Sequence, residues 1–214
     1  IGGKNGINLE HGKNLIGTFY QPKLVLIDPI LLNTLPKSDF NDGMAEIIKC
    51  AMIKSDKLFE KIVGFKTSDE LEEIIYESID IKRKIVEADE FESCERKLLN
   101  FGHTIGHSIE KIYEYKKYSH GKAVSIGMAT IVRAGEFLNL TEPGCYNKLI
   151  CVLKKFDLPY EFTCPIKDVL ENCLNDKKAY LDYIDLVLIH SIGRGFIKKI
   201  LKSKLKEYIR RDIL

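Results

Sequence analysis

The sequence predicts a mainly α-helical protein with one short strand near its beginning. From Leu35-Pro36 onward, apolar residues recur at the three- and four-residue spacing of helix faces over most of the chain. Before that point, the compact apolar run 23–28 ends at Asp28-Pro29 and predicts a buried strand. The 214 residues are 45% hydrophobic, which is enough for a sizeable core.

The composition indicates which kinds of binding partner and which cellular compartment to expect. Lys and Arg number 33 against 31 Asp and Glu, so the net charge of +2 favours neither a nucleic-acid partner nor a membrane surface. The six cysteines form no CxxC pair, which predicts free thiols in a reducing cytoplasm. No apolar run reaches the length of a membrane span. Because the chain starts with Ile1 rather than Met, we expect it to be part of a longer protein.

The two ends of the chain carry weaker signals. Residues 1–20 contain glycines beside lysine and asparagine side chains, which is typical of a loop whose free amides either bind an anion or only turn the chain. The apolar run 184–189 predicts a strand. The basic amphipathic segment after Gly193 predicts a helix that ends near Leu214.

A carboxylate lies on the apolar face of the first predicted helix. Ser38 or Asp39 can cap this helix, and Glu46 falls among its apolar positions. Burying a carboxylate is costly unless a cation or a metal ion meets it. Lys49, three residues further on, can supply an ordinary ion pair. Glu46 is therefore either a rim residue or a metal ligand.

A polar stripe follows one face of a later predicted helix. Its members recur every three or four residues along a single continuous helix: Arg96, Asn100, His103, His107 and Glu110. Such a stripe on an otherwise apolar helix indicates the wall of a polar site. His103 and His107 lie one turn apart on one face, which suits a divalent metal ion but also fits two unrelated histidines.

His120 opens the following predicted helix. There the positive end of the helix dipole favours the neutral imidazole that a metal ion requires, although a capping or surface histidine would look the same. Glu46, His103 and His120 together form a ligand set known for catalytic zinc with an open position. More cations accompany this set than a metal site needs, which predicts a polyanionic substrate: Lys4, Lys49, Lys82, Arg96 and Lys177.

Short motifs along the whole chain occur in the order and approximate spacing of one enzyme family. They are Gly2-Gly3-Lys4, Gly12-Lys13-Asn14, Gln21-Pro22-Lys23, Leu35-Pro36, Gly43-Met44-Ala45-Glu46-Ile47-Ile48-Lys49, Ala88-Asp89-Glu90, Leu98-Leu99-Asn100-Phe101-Gly102-His103-Thr104-Ile105-Gly106-His107, His120-Gly121 and Asp176-Lys177-Lys178. In these motifs the chain resembles the 3-dehydroquinate synthases, which are sugar-phosphate cyclases. The NFGHTIGH and GMAEIIK blocks are the most specific.

The resemblance implies a fold and a set of site residues. Residues 36–214 would form the multihelical C-terminal domain that binds metal and substrate, and residues 1–35 a remnant of the α/β NAD-binding domain. Glu46, His103 and His120 would bind Zn²⁺ or Co²⁺. The substrate pocket would be lined by Lys4, Asn14, Lys49, Lys82, Arg96, Asn100, His107 and Lys177, of which Lys49, Lys82, Arg96, Asn100 and His107 would be catalytic. Lys13, Leu31, Leu32, Asn33 and Thr34 would reach NAD.

The resemblance also implies an activity. The family converts 3-deoxy-D-arabino-heptulosonate 7-phosphate to 3-dehydroquinate and phosphate in the shikimate pathway, with Zn²⁺ and catalytic NAD, and a homodimer is expected. Two departures stand out: the upstream nucleotide-binding half is missing, and Lys122 stands where the family usually has Glu after His-Gly. We therefore expect this chain to be inactive alone.

Three alternatives stay open from the sequence. The first is a related cyclase that acts on another sugar phosphate, and the second is a non-catalytic helical interaction module, which Lys122 and the missing half favour. The third is an iron- or zinc-dependent alcohol dehydrogenase of the same architecture, against which the surplus of Lys and Arg for an anionic substrate argues. The presence of Glu46, His103 and His120 favours an enzyme.

Overall fold

A computed structural model describes residues 2–9, 12–67, 70–174 and 182–210. Within these ranges the protein is mainly helical, with two separate two-stranded antiparallel sheets. The helices are α1 (Lys37–Lys54), α2 (Asp56–Gly64), α3 (Leu71–Ala88), α4 (His103–Ile112), α5 (His120–Phe137), α6 (Cys145–Lys155) and α7 (Ile166–Leu174). The strands are β1 (Lys4–Leu9), β2 (Gly12–Phe19), β3 (Tyr183–Ile189) and β4 (Gly195–Leu201). Short 3₁₀ helices cover Pro29–Thr34, Glu95–Asn100 and Lys202–Glu207.

Helix α5 forms the centre of the core. Apart from its charged residues and His120, its residues are apolar or small, and nearly all of them from Gly121 to Gly135 are buried. A helix that is apolar all round must be covered by other elements. Here α1, α4 and α6 pack against α5, so the first turns of α4 and α5 and the middle of α1 lie close together.

Glycines allow α4 and α5 to cross at unusually short range. A Cβ atom on Gly127 of α5 would lie 2.0 Å from the carbonyl oxygen of Gly102. On the α4 side, a Cβ atom on Gly106 would lie 3.1 Å from the backbone of Ala123. The absence of side chains at both positions lets the two backbones approach directly.

The N-terminal segment is a hairpin rather than the predicted loop. Strands β1 and β2 pair antiparallel from Lys4 opposite Phe19 to Leu9 opposite Gly12. Gly6, Gly12 and Gly17 are accommodated within the strands, whereas Gly2 and Gly3 precede β1 with left-handed φ values. A Cβ atom on Gly17 would lie 1.9 Å from the carbonyl oxygen of Asn5, so that glycine permits the close pairing.

The predicted buried strand at 23–28 is wrong in this structure. The segment is irregular, and Leu24 and Leu26 are 73% and 86% exposed. The apolar composition of the segment is typical of a strand, but a strand also needs a neighbour to hydrogen-bond with. The strands within the described ranges pair elsewhere.

Two further predictions about elements need correction. The stripe from Arg96 to Glu110 is not one helix, because Gly102 adopts a left-handed φ of +76° that separates the 3₁₀ helix Glu95–Asn100 from α4. The segment after Gly193 forms β4 and a 3₁₀ helix instead of a long helix, because β4 pairs with the correctly predicted strand β3. Residues 211–214, where that predicted helix would end, lie outside the described ranges.

The cysteines agree with the prediction of free thiols. Cys50, Cys145, Cys164 and Cys173 are buried, and Cys94 and Cys151 are exposed. Among the described helices, none combines the length and the apolar character needed to cross a bilayer.

We expect Gly127→Ala to destabilise the fold through the crossing of α4 and α5. The added methyl group collides with a backbone carbonyl, and overpacking of this kind costs about 1–3 kcal/mol. For a chain of this length that corresponds to a fall in Tm of about 3–10 °C. Thermal unfolding followed by circular dichroism measures it.

Gly43→Ala is the matched control for this substitution. Gly43 also lies inside a helix, but a Cβ atom there meets nothing within 4 Å. The greater helix propensity of Ala should leave its Tm equal to or above that of the wild type. Equal Tm values for the two variants would contradict the proposed close crossing.

Candidate metal and anion site

Three elements bring a carboxylate and two imidazoles together. Glu46 projects from the middle of α1, while His103 and His120 are the first residues of α4 and α5. The Oε1 atom of Glu46 lies 3.5 Å from Nε2 of His103 and 3.7 Å from Nε2 of His120. One ligand atom from each residue lies within 4.8 Å of the others, a spacing that could hold a metal ion.

The facing atoms are all suited to binding a cation. Oε1 of Glu46 is buried and finds no hydrogen-bond donor among the described residues. Nδ1 of His103 lies 3.1 Å from the carbonyl oxygen of Phe101, and because a carbonyl only accepts, Nδ1 carries the hydrogen. Nε2 of His103 therefore presents a lone pair to a carboxylate oxygen. Two acceptors that face each other in this way are satisfied by a shared cation.

The charge states of Glu46 and His103 suit metal binding. Burial acts to raise the pKa of Glu46, but the positive charge of Lys49 and the nearby imidazoles outweigh it and lower the pKa to about 2. Burial, together with Lys49, lowers the pKa of His103 to about 3. At neutral pH the site therefore contains an ionised carboxylate and a neutral imidazole, both in the form that coordinates metal.

His120 differs from His103 in its outer partner. Its Nδ1 lies 3.3 Å from Oε2 of Glu110, a residue of α4 that is only 3% exposed. This hydrogen bond raises the pKa of His120 against the opposing effect of burial. The sequence suggested that the helix dipole would keep this ring neutral, whereas the carboxylate of Glu110 raises the pKa of His120.

Asp42 fixes the start of α5 against α1. Its carboxylate accepts hydrogen bonds from the hydroxyl of Ser119 at 2.6 Å and from the backbone N–H of Gly121 at 3.3 Å. Gly121 permits this approach, since a Cβ atom there would lie 2.5 Å from Cα of Asp42. Asp42 precedes Glu46 by one turn, so both side chains leave the same face of α1. Asp42 binds the backbone of α5, and Glu46 faces His120 at the start of that helix. Sequence reasoning missed Asp42.

Two lysines provide positive charge beside Glu46. Lys49 is 4% exposed, and its Nζ donates to Oε2 of Glu46 at 2.6 Å. Lys82 lines a cleft of about 300 Å³ together with Glu46 and Lys49. Among the described residues, Lys82 makes no hydrogen bond or ion pair, which leaves its ammonium group available to an anion.

A second and larger cleft of about 560 Å³ borders the histidines. Lys4, Asn100, His103 and His107 all line it. The ring of His107 is in edge contact with that of His103, with 5.3 Å between centroids, as their four-residue spacing predicted. The structure therefore gathers these four predicted site residues around one space.

Glu92 belongs to this cleft, and sequence reasoning did not find it. Its carboxylate pairs with Lys4 and accepts a hydrogen bond from Asn100 at 2.5 Å. Glu92 has a left-handed φ of +61°, which is uncommon for a residue with a side chain and marks a constrained loop. The only local signal in the sequence was the density of acidic residues from Asp89 onward.

Arg96 ties the N-terminal segment to the loop before the 3₁₀ helix. It is 3% exposed, and its guanidinium donates to the carbonyl oxygens of Gly2 and Glu90. The predicted role of Arg96 in holding a substrate carboxylate stays a prediction. The described contacts give this side chain a structural role beside the cleft.

Asp89 organises the same loop. It accepts hydrogen bonds from the backbone N–H groups of Ser93, Cys94 and Arg96 and from the hydroxyl of Ser93. These donors outweigh the effect of burial and hold the pKa of Asp89 well below its usual range. Hydrogen bonds to the carboxylate of Asp89 therefore fix the conformation of the loop that carries Glu92 and leads to Arg96.

Several predicted residues cannot be placed in the site. Lys13 and Asn14 belong to β2, but their side chains lie outside the described part of the chain, as does Lys177 in the segment 175–181. The predicted cofactor residues Leu31, Leu32, Asn33 and Thr34 lie in the 3₁₀ helix Pro29–Thr34. Leu32 lines an apolar cleft of about 270 Å³ between that helix, α1 and α3.

Comparison with solved structures identifies the fold. A 2-epi-5-epi-valiolone synthase from Streptomyces hygroscopicus subsp. jinggangensis, solved with NAD⁺ and Zn²⁺ bound, superposes with a TM-score of 0.85 at 24% identity over 97% of this chain and 60% of its own. A 2-deoxy-scyllo-inosose synthase solved with carbaglucose-6-phosphate, NAD⁺ and Co²⁺ gives 0.81 at 23% identity, over 97% and 62%. The chain therefore has the fold of these two synthases.

Sequence comparison identifies the family to which this chain belongs. Family models described as 3-dehydroquinate synthase C-terminal and N-terminal match residues 43–179 and 1–42. A 3-dehydroquinate synthase of Clostridium perfringens is 46% identical over 202 residues, 92% of this chain and 58% of the relative. One from Lactococcus lactis is 40% identical over 218 residues, 99% of this chain and 61% of the relative. The chain belongs to the 3-dehydroquinate synthase family and spans about three fifths of the length of these relatives.

We expect Asp89→Asn to loosen the loop in a pH-dependent way. Because the pKa of Asp89 is lowered in the folded protein, its contribution to stability is complete above the unfolded-state pKa of about 3.9 and is lost as pH falls toward the folded value. Urea unfolding from pH 7 to pH 3 should show a lower midpoint for the variant at neutral pH and a narrowing gap below pH ~4. A gap that stays constant over the whole range would contradict this role.

Proposed function

We propose that this chain is the metal- and substrate-binding part of a 3-dehydroquinate synthase, which converts 3-deoxy-D-arabino-heptulosonate 7-phosphate to 3-dehydroquinate and phosphate. The main support is the buried Oε1 of Glu46, which faces the coordinating nitrogens of His103 and His120 without a hydrogen-bond donor among the described residues. Membership of the family and the surrounding cations agree with this activity.

Glu46, His103 and His120 would hold the metal ion, which we take to be Zn²⁺ or Co²⁺. The donor set fits such an ion, since it combines one carboxylate oxygen with two imidazole nitrogens and leaves a position for substrate. Bound there, the ion would polarise an oxygen of the substrate. Lys49 would keep the second oxygen of Glu46 occupied, so that Glu46 offers a single oxygen to the ion.

The remaining predicted residues would bind the organophosphate substrate. Lys82 lines the cleft beside Glu46 and makes no ion pair with any described residue, so its ammonium group suits an anionic group of the substrate. His107 and Asn100 line the cleft next to the metal ligands, where His107 would orient the phosphate or relay a proton. Lys4, Asn14, Arg96 and Lys177 complete the set of proposed substrate contacts.

NAD would be bound partly by residues beyond this chain. Residues 1–35 would belong to the nucleotide-binding domain and residues 36–214 to the metal- and substrate-binding domain. Lys13 and the segment Leu31 to Thr34 would contact NAD, whose nicotinamide would exchange hydride with the substrate. This chain alone would bind metal but show no turnover, and the complete protein would act as a homodimer.

A related cyclase is the second candidate, because both solved structures compared above are synthases with names other than 3-dehydroquinate synthase. The substrate carboxylate distinguishes the two candidates. A 3-dehydroquinate synthase requires it, whereas a sugar phosphate such as glucose 6-phosphate lacks it. Turnover of the heptulosonate but not of glucose 6-phosphate would favour the first proposal.

Glu46→Gln tests the metal site and the activity together. The uncharged amide should weaken zinc binding by about 100-fold or more, since loss of even an outer partner of a ligand costs 10–100-fold. Zinc per chain is measured on this chain by elemental analysis. Phosphate release that depends on NAD is measured on the parent protein, in which the chain is joined to its nucleotide-binding half. A variant that retains both zinc and turnover would overturn the proposal.

Lys82→Met tests the anion site. Loss of a charge-assisted hydrogen bond of about 1.5–3 kcal/mol should lower kcat/KM by about 10–100-fold, mainly through a higher KM, with zinc content unchanged. Lys84→Met is the matched control. Lys84 lies on the same helix but is exposed and pairs with Asp80. Equal kinetic effects of the two substitutions would rule out a specific role for Lys82.

A further inference from the structure

We propose that Glu110 is a positioning residue that orients His120 and strengthens its bond to the metal ion. This inference rests on the proposed metal site. Glu110 lies on α4 seven residues after His103, so the two side chains leave the same face of the helix two turns apart. One helix thus supplies a metal ligand and the outer partner of another ligand that belongs to α5.

The geometry fixes which nitrogen of His120 faces the metal ion. Oε2 of Glu110 lies 3.3 Å from Nδ1 of His120, while Nε2 of the same ring points toward Glu46. A carboxylate accepts, so Nδ1 donates to Glu110 and Nε2 remains for coordination. In metal sites, an outer carboxylate of this kind holds the ring orientation and raises the basicity of the ligand.

The two histidines are supported differently. Nδ1 of His103 donates to the neutral carbonyl of Phe101, whereas Nδ1 of His120 donates to a carboxylate that is 3% exposed. A buried carboxylate draws positive charge onto the imidazole more strongly than a carbonyl does, because little water screens it. His120 should therefore be the stronger of the two nitrogen donors, and its strength should depend on Glu110.

A different role for Glu110 is conceivable on distances alone. His107, Glu110 and His120 also have ligand atoms within 4.8 Å of one another, which could hold a cation of their own. The hydrogen bond between Nδ1 of His120 and Oε2 of Glu110 already explains their proximity without a second ion. We therefore assign Glu110 to the support of one metal ion, and the number of ions bound tests this assignment.

Glu110→Gln is the decisive variant, because the amide keeps the size and a carbonyl acceptor but loses the charge. On this chain, competition with a chelator should show zinc bound about 10–100-fold more weakly, still at one ion per chain. The visible absorption of the Co²⁺-loaded protein should shift as the donor strength of His120 falls. Glu136→Gln, at the far end of α5, should leave both measurements unchanged; its carboxylate accepts from the backbone N–H of Tyr146.

The outcomes separate this inference from the proposed function. Wild-type protein that binds no zinc would overturn both. Zinc bound equally by wild type and Glu110→Gln would overturn the role of Glu110 alone, as would two ions per wild-type chain that fall to one in the variant. If the variant does not fold, ¹⁵N NMR of the zinc-loaded wild type decides. A protonated Nδ1 on His120 supports the proposal, and an unprotonated Nδ1 overturns it.

Discussion

The short distance between α5 and its neighbours α1 and α4 is the constraint on which the site depends. Gly127 removes the side chain that would keep α4 away, and Gly121 does the same toward α1. Asp42 then bonds the first turn of α5 to α1. Because His103 and His120 begin their helices, a small displacement of either helix would separate them from Glu46. Backbone packing therefore sets the ligand geometry before any ligand is bound.

Charges of alternating sign surround Glu46, and two of them, Lys49 and Glu110, are buried. Lys49 neutralises one oxygen of Glu46, and the imidazoles face the other. Glu110 lies behind His120 on the side away from Glu46. A carboxylate as buried as that of Glu110 would lose several kcal/mol of solvation if it were isolated. The charge of a divalent cation between Glu46 and the imidazoles would be neutralised by two carboxylates. Glu46 would contact the ion directly, and Glu110 would act through the ring of His120.

Sequence patterns predicted the helices of this fold better than its strands. The apolar periodicity around α1, α3, α5 and α6 depends on residues within a few turns, so it is visible locally. Strands depend on partners, and the pairing of β1 with β2 and the exposure of Leu24 and Leu26 could not be read from composition. Glu46 and the two histidines were found because their residue types are costly in a core. Asp42 and Glu92 were missed because their contacts join residues 77 and 88 positions away.

The loop from Asp89 to Arg96 shows how part of the site is fixed without a ligand. Four donors converge on Asp89, and Glu92 adopts a left-handed conformation that costs about 1–3 kcal/mol for a residue with a side chain. Such a conformation persists only where the surrounding bonds enforce it. In return, the carboxylate of Glu92 holds Lys4 and Asn100 at the cleft. Since these contacts arise within the chain itself, a substrate would meet side chains that are already oriented, and less of its binding energy would be spent on ordering them.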